Sequence, residues 1–182
     1  LNSNRSRLAK LAANHHKTAW ESLEESCIAI ADHLASGTDR LKEDGEQDES
    51  RTGYIQDRLI SIFEEVELKH HKFESTKART YRLTAIEGNS YPSPQPKPSP
   101  GAGKKEYHDH WTAFTQALQA NTALQEKELS FNQYLGALCT TLEQYLWCIP
   151  SASFQAIPDI SLYDHGYLTA SIAQALYAYH VE

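Results

Sequence analysis

His165 opens an apolar stripe. In "PDISLYDHGYLTASIAQALY", Leu168, Ile172, Leu176 and Tyr179 follow it at steps of three, four, four and three, which is one face of a helix. An imidazole there is either a metal ligand facing a cleft or a structural histidine satisfied in the core. His15 and His16 stand side by side at the end of a short amphipathic segment. Two adjacent imidazoles can reach one cleft, where neutral rings suit Mn, Fe, Ni or Zn. Alternatively, they cap a helix C-terminus, where positive charge suits the dipole. Asp32 lies beside Ile28 and Ala35, off the main apolar stripe of its helix, so periodicity alone turns it to solvent. His70-His71 sits among charged residues and reads as solvated. "YHDHW" holds a His-Asp dipeptide, His108-Asp109, but nothing nearby completes a site around it. No phosphate loop, dinucleotide fingerprint, nucleophile elbow or zincin motif occurs.

The elements that must position these residues are mostly helices. Leu8, Leu11 and Ala12 mark a short helix running into His15. Thr18 with Glu21 three residues on reads as a capping box. It opens a helix striped by Trp20, Leu23, Cys27, Ile30, Ala31 and Leu34, with Gly37 as a natural stop. An acidic loop covers 41–53. "DRLISIFEEV" (57–66) fits a strand or a helical turn equally, and Tyr81, Leu83 and Ala85 alternate as a brief strand. Prolines on alternate positions from 92 to 100 favour an extended polyproline segment, so 91–105 reads as an insertion or linker. From Glu106, Tyr107, Trp111, Phe114 and Leu118 stripe another helix, and Phe131 to Leu146 a further one. Ser161 with Asp164 caps the last helix, which starts near Leu162 and carries His165 in its first turn. Gly166 costs helix propensity and is expected to serve close backbone packing. The expectation is a mainly α bundle with a minor β element. It is organised as 1–90, the 91–105 insertion and 106–182.

The 182 residues are 40% hydrophobic and 23% charged, an ordinary globular balance for one domain with an insertion. Net charge is −7, which argues against a basic nucleic-acid clamp built from the whole chain. No apolar run reaches a membrane span and no signal-peptide pattern opens the chain, so no membrane partner is expected. Three cysteines, Cys27, Cys139 and Cys148, are an odd number without CxxC spacing, which favours a reducing, cytoplasmic location. The sequence begins at Leu1 and has no Met, and so reads as an internal piece of a larger protein or a processed chain.

Three stretches in order carry a family resemblance: "IAIADHLASGTDR" (28–40), "DRLISIFEEV" (57–66) and "WCIPSASFQAIPDISLYDHGYLTASIAQALY" (147–177). Together with "AANHH" before the first, they resemble the large subunit of type III CRISPR interference complexes, the Csm-type polymerase/cyclase subunit. The proline-rich stretch and the acidic loop have no counterpart in the pattern. The resemblance implies the C-terminal part of a circularly permuted HD domain, an incomplete helical metallo-phosphohydrolase bundle. By motif match His165 stands for the lone metal-binding His, Asp32 for the distal Asp, and His15 and His16 for the intervening pair. Asp164 would orient His165. The implied cofactor is a divalent transition metal (Mn, Ni or Fe), the substrate single-stranded DNA, and the partners the other subunits and guide RNA of an antiviral ribonucleoprotein. The family's His-Asp dipeptide is expected before Leu1 and the palm domains after Glu182, so this chain alone is expected neither to cut DNA nor to make cyclic oligoadenylate. The alternative is a non-catalytic helical scaffold in the same assembly. An independent His-rich metal-binding protein would leave the three motif matches unexplained. If the site is built as implied, His15, His16, Asp32 and His165 converge to within roughly 6–8 Å.

Overall fold

A computed structural model describes residues 2–14, 16, 19–39, 55–64, 66, 68, 79–87, 95–126, 130–152 and 157–181. The acidic loop 41–53, His70-His71, His15, Thr18 and the start of the proline-rich stretch lie outside the described residues. The described chain is mainly helical: α1 (Asn2–Asn14), α2 (Leu23–Asp39), α3 (Pro100–Ala120), α4 (Thr122–Gln125), α5 (Phe131–Leu146) and α6 (Leu162–Val181). It divides into two compact units. One comprises residues 1–39 and 164–182, the other 40–163. Among the described residues, no helix is long and apolar enough to cross a membrane.

In the first unit, α1 packs on α2. Arg7 pairs with Glu24, and Lys10 Nζ reaches Glu21 Oε2 at 3.1 Å. The cap of α2 falls one turn later than Thr18–Glu21. Ser22 Oγ accepts from Glu25 N at 3.2 Å, while Glu25 Oε2 accepts from Glu21 N at 2.8 Å. The sequence offers S/T-x-x-E twice in succession, and the second copy starts the helix. Nor does α2 stop at Gly37, which the helix passes through. Its buried face is made of small residues, Cys27, Ala29, Ala31 and Ala35, while Ile30 and Leu34 are exposed. The expected stripe of large residues is therefore rotated.

The second unit is organised around Arg58, whose side chain is fully buried. Its Nη1 donates to the carbonyls of Ile55 (2.9 Å) and Asp57 (2.8 Å). Its Nη2 donates to Gly103 O (3.2 Å) and Glu106 Oε2 (3.1 Å), and Nε to the same carboxylate at 3.2 Å. The guanidinium also lies 4.8 Å from the centre of the Tyr107 ring. This joins the 55–61 segment to the first turns of α3. That helix begins at Pro100, not Glu106. Proline suits the first helical position because no N–H is needed there. The prolines thus end in a helix start, preceded by a bridged Gln95 and an extended Ser99.

The buried face of α3 carries Gly103, His110 and Phe114, and Trp111 faces outward, contrary to the expected stripe. The reason lies in α5: His110 Nε2 meets Tyr145 O at 2.7 Å, and Phe114 packs on the Tyr145 ring at 5.6 Å. Ser130 and Gln133 form a full capping box at the start of α5. Thr80 bridges Ile60 on one side and Gln95 on the other, so among the described residues the expected strand is only a set of isolated bridges. Tyr81 and Leu83 still alternate inward from there. They form a core with Leu59 and Cys148, and Tyr81 stacks edge-on against Trp147 at 5.3 Å.

Two glycines make opposite predictions. A Cβ at Gly103 would run into the Ile55 carbonyl beside the Arg58 cluster, so Gly103→Ala should destabilise by about 1–3 kcal/mol. A Cβ at Gly166 meets nothing, so the expected packing reason for that glycine fails. Gly166→Ala should raise stability by up to ~1 kcal/mol. Urea melts of both variants check the pair. A further test is thiol labelling. Burial pushes the Cys148 thiol up to about 11, and Cys27 is also buried, whereas Cys139 is half-buried. At neutral pH, a thiol reagent should modify Cys139 first and Cys148 only on unfolding.

Candidate functional site

Asp32 sits in the middle of α2 and His165 in the first turn of α6, and both belong to the first unit. The α6 start expected from the sequence is the one observed. Across 133 residues of chain, His165 Nε2 and Asp32 Oδ1 stand 3.1 Å apart. Their side chains are only 14% and 17% exposed, so Asp32 does not face solvent as helical periodicity alone would have it. Rotating the α2 face toward small residues is what brings it inward. Position 32 shares a face with 25 and lies near the buried Ala29.

The rest of the expected set divides. His16 is in an exposed turn. His15 lies outside the described residues. Among the described residues, no three His, Cys, Asp or Glu side chains are grouped as a metal would require, so His16 does not join the pair there. Asp164 is exposed at the start of α6. The stripe after His165 is not a buried core face either. Leu168 and Tyr179 are exposed, and Ile172 and Leu176 are half-buried.

Two residues escaped the sequence reading. Glu25 is buried two turns before Asp32 on the same face of α2, and it accepts from Asn14 Nδ2 at 2.9 Å. Asn14 ends α1 and is itself buried, so this bond fixes the residue that leads into His15-His16. The signal was available in the seven-residue spacing of two carboxylates on one helix. The apolar stripe on the neighbouring side of the helix masks it. The second is Thr169, one turn beyond His165, whose Oγ1 is buried without a hydrogen-bond partner. A mid-helix threonine usually returns its hydroxyl to a backbone carbonyl one turn back, so an orphaned one a turn from His165 marks a place where a polar group can be received.

Removing the Glu25 carboxylate would strand the buried Asn14 amide and the Glu21 N–H. Glu25→Ala should cost about 1–3 kcal/mol by denaturant melting, and Glu25→Gln, which keeps one acceptor, clearly less.

The chain is similar to three curated proteins, each named CRISPR system single-strand-specific deoxyribonuclease Cas10/Csm1 (subtype III-A). The relative from Streptococcus thermophilus is 28% identical over 152 residues, 82% of this chain and 19% of its own length. Those from Enterococcus italicus and Methanocaldococcus jannaschii are 26% and 22% identical over 93% and 97% of this chain, and 22% of their own lengths. The chain thus spans about a fifth of the length of the relatives it matches. No family model and no solved structure matches it. The resemblance to the type III large subunit is borne out over most of the chain.

Proposed function

We propose that this chain is the metal-ligand-bearing helical part of an HD-type single-stranded DNA nuclease, within the large subunit of a cytoplasmic type III CRISPR effector complex with its guide RNA and partner subunits. The observation that carries the reading is the Asp32–His165 pair. Metal–ligand bonds of about 2.0–2.2 Å leave two donors on one ion roughly 3 Å apart, and Nε2 and Oδ1 stand 3.1 Å apart before any ion is considered. An imidazole and a carboxylate suit Mn, Ni or Fe, and one helical turn beyond His165 the Thr169 hydroxyl is buried without a hydrogen-bond partner. The names of the relatives supply the substrate class and the subtype.

In that reading Asp32 and His165 hold the ion, with His15 and His16 as the further ligands the family pattern implies. The ion would supply charge neutralisation at the scissile phosphate and a more acidic bound water. The chain's own part is to fix the two donors with little freedom. Asp32 is held mid-helix, His165 is held in the first turn of α6, and both are shielded from bulk water. The scaffold alternative is favoured by one observation, the absence of a third ligand among the described residues.

Calorimetric titration of the chain with Mn²⁺ or Ni²⁺ separates the two readings. A single site that weakens by about ten-fold or more in both Asp32→Ala and His165→Ala is the expected result. The full-length subunit carrying either variant should lose degradation of single-stranded DNA. Metal binding indifferent to both variants would leave the pair as a structural hydrogen bond and the chain as a scaffold.

A further inference from the structure

The outward face of α3 presents a tryptophan and a lysine. Lys104, His108, Trp111 and Thr115 follow at steps of four, three and four, so they line one face of the helix. Trp111 is 63% exposed, and its ring is set against Phe114 at 5.7 Å. Phe114 is buried against Tyr145. The indole is therefore held by its neighbour while its outer face stays open. Lys104 and His108 are exposed on the same side, and Thr112 and Gln119 border it. Along this side of the helix the one carboxylate is Asp109, at its edge, and it is paired with Lys105. Glu106 is turned inward to Arg58. The Thr112 and Thr115 hydroxyls donate to carbonyls of the helix itself, but in a chain of net charge −7 a helix face with a lysine at its end, the exposed Gln119 amide and no uncompensated carboxylate is complementary to a polyanion.

We propose that this face of α3 is a binding surface for single-stranded DNA, with Trp111 stacking on one unpaired base and Lys104 contacting the neighbouring phosphate. An open indole suits a splayed base, because every base offers a π-face, whereas a duplex offers none along its side. The single cation fits a site that holds one or two nucleotides by stacking and not a long electrostatic track. The choice of DNA over RNA rests on the function proposed above; the stacking surface itself does not.

The test is fluorescence anisotropy of a labelled mixed-sequence single-stranded DNA with this chain in EDTA, so that metal binding plays no part. Trp111→Ala should weaken binding by roughly five- to a hundred-fold, the range for losing one base stack. Trp111→Phe should keep most of the affinity. Lys104→Ala should lower the slope of log affinity against log salt by about 0.7. Trp111 is exposed, so an unchanged melting temperature is expected in its variants. DNA binding is read in EDTA and metal binding without DNA, so failure of this proposal and failure of the metal site each show in a separate titration. Equal affinity of Trp111→Ala and the unaltered chain would overturn the proposal. So would tighter binding of the same sequence as RNA or as duplex, or no binding of the single strand at all.

Discussion

A guanidinium without water must find an acceptor for each of its five N–H groups, and Arg58 does so inside one turn of chain and one turn of helix. That requirement orders the larger unit. Three of the acceptors are backbone carbonyls, of Ile55, Asp57 and Gly103, so the path of the main chain is bound to the side chain. The carboxylate of Glu106 is shared with Arg82, at 2.7 Å, which brings in the 79–83 segment as well. Gly103 follows from the same geometry: its carbonyl serves Arg58 while its α-carbon lies against Ile55. The apolar core of Leu59, Tyr81, Leu83 and Cys148 is then assembled from segments already in register. Such an ion pair adds little net stability over an apolar substitute of the same shape, but losing one partner leaves a buried charge uncompensated. Its contribution is to choose one arrangement among several.

In the smaller unit, the corresponding constraint is the size of side chains on α2. Alanines at 29, 31 and 35 let neighbouring backbone approach, and this draws the polar residues on that side, Glu25 and Asp32, out of water. Buried carboxylates need partners. Glu25 takes the end of α1, through Asn14, and Asp32 takes the start of α6, through His165. One helix thus holds both neighbours by polar contacts two turns apart.

Much of this was legible in the sequence, and the rest was obscured for physical reasons. Helical periodicity finds α5 and the Leu162 start of α6, because capping and spacing are local, whereas α2 starts one turn later than its first capping signal. It misplaced faces. Trp111 was assigned inward because it is large and apolar, whereas the Tyr145 carbonyl selects His110 for that side. Asp32 was assigned outward because it is charged, whereas alanines make the buried face of α2. Which side of a helix is buried depends on the partner helix, and the partner is not encoded in the segment itself. The start of α3 at Pro100 was missed because alternating prolines read as extended chain, although the last proline of such a run is also a good first helical residue. The pairing of Asp32 with His165 came from the family resemblance; neither spacing nor charge joins positions so distant.

That distance has a consequence for synthesis. Asp32 leaves the ribosome 133 positions ahead of His165. At translation rates of roughly 5–20 residues per second, the carboxylate waits on the order of ten seconds for its imidazole. In that interval α1 and α2 can form and join through Asn14 and Glu25, since both precede Asp32 in the chain. Asp32 meanwhile remains hydrated. The nascent chain therefore carries a half-made pair that closes only when α6 arrives.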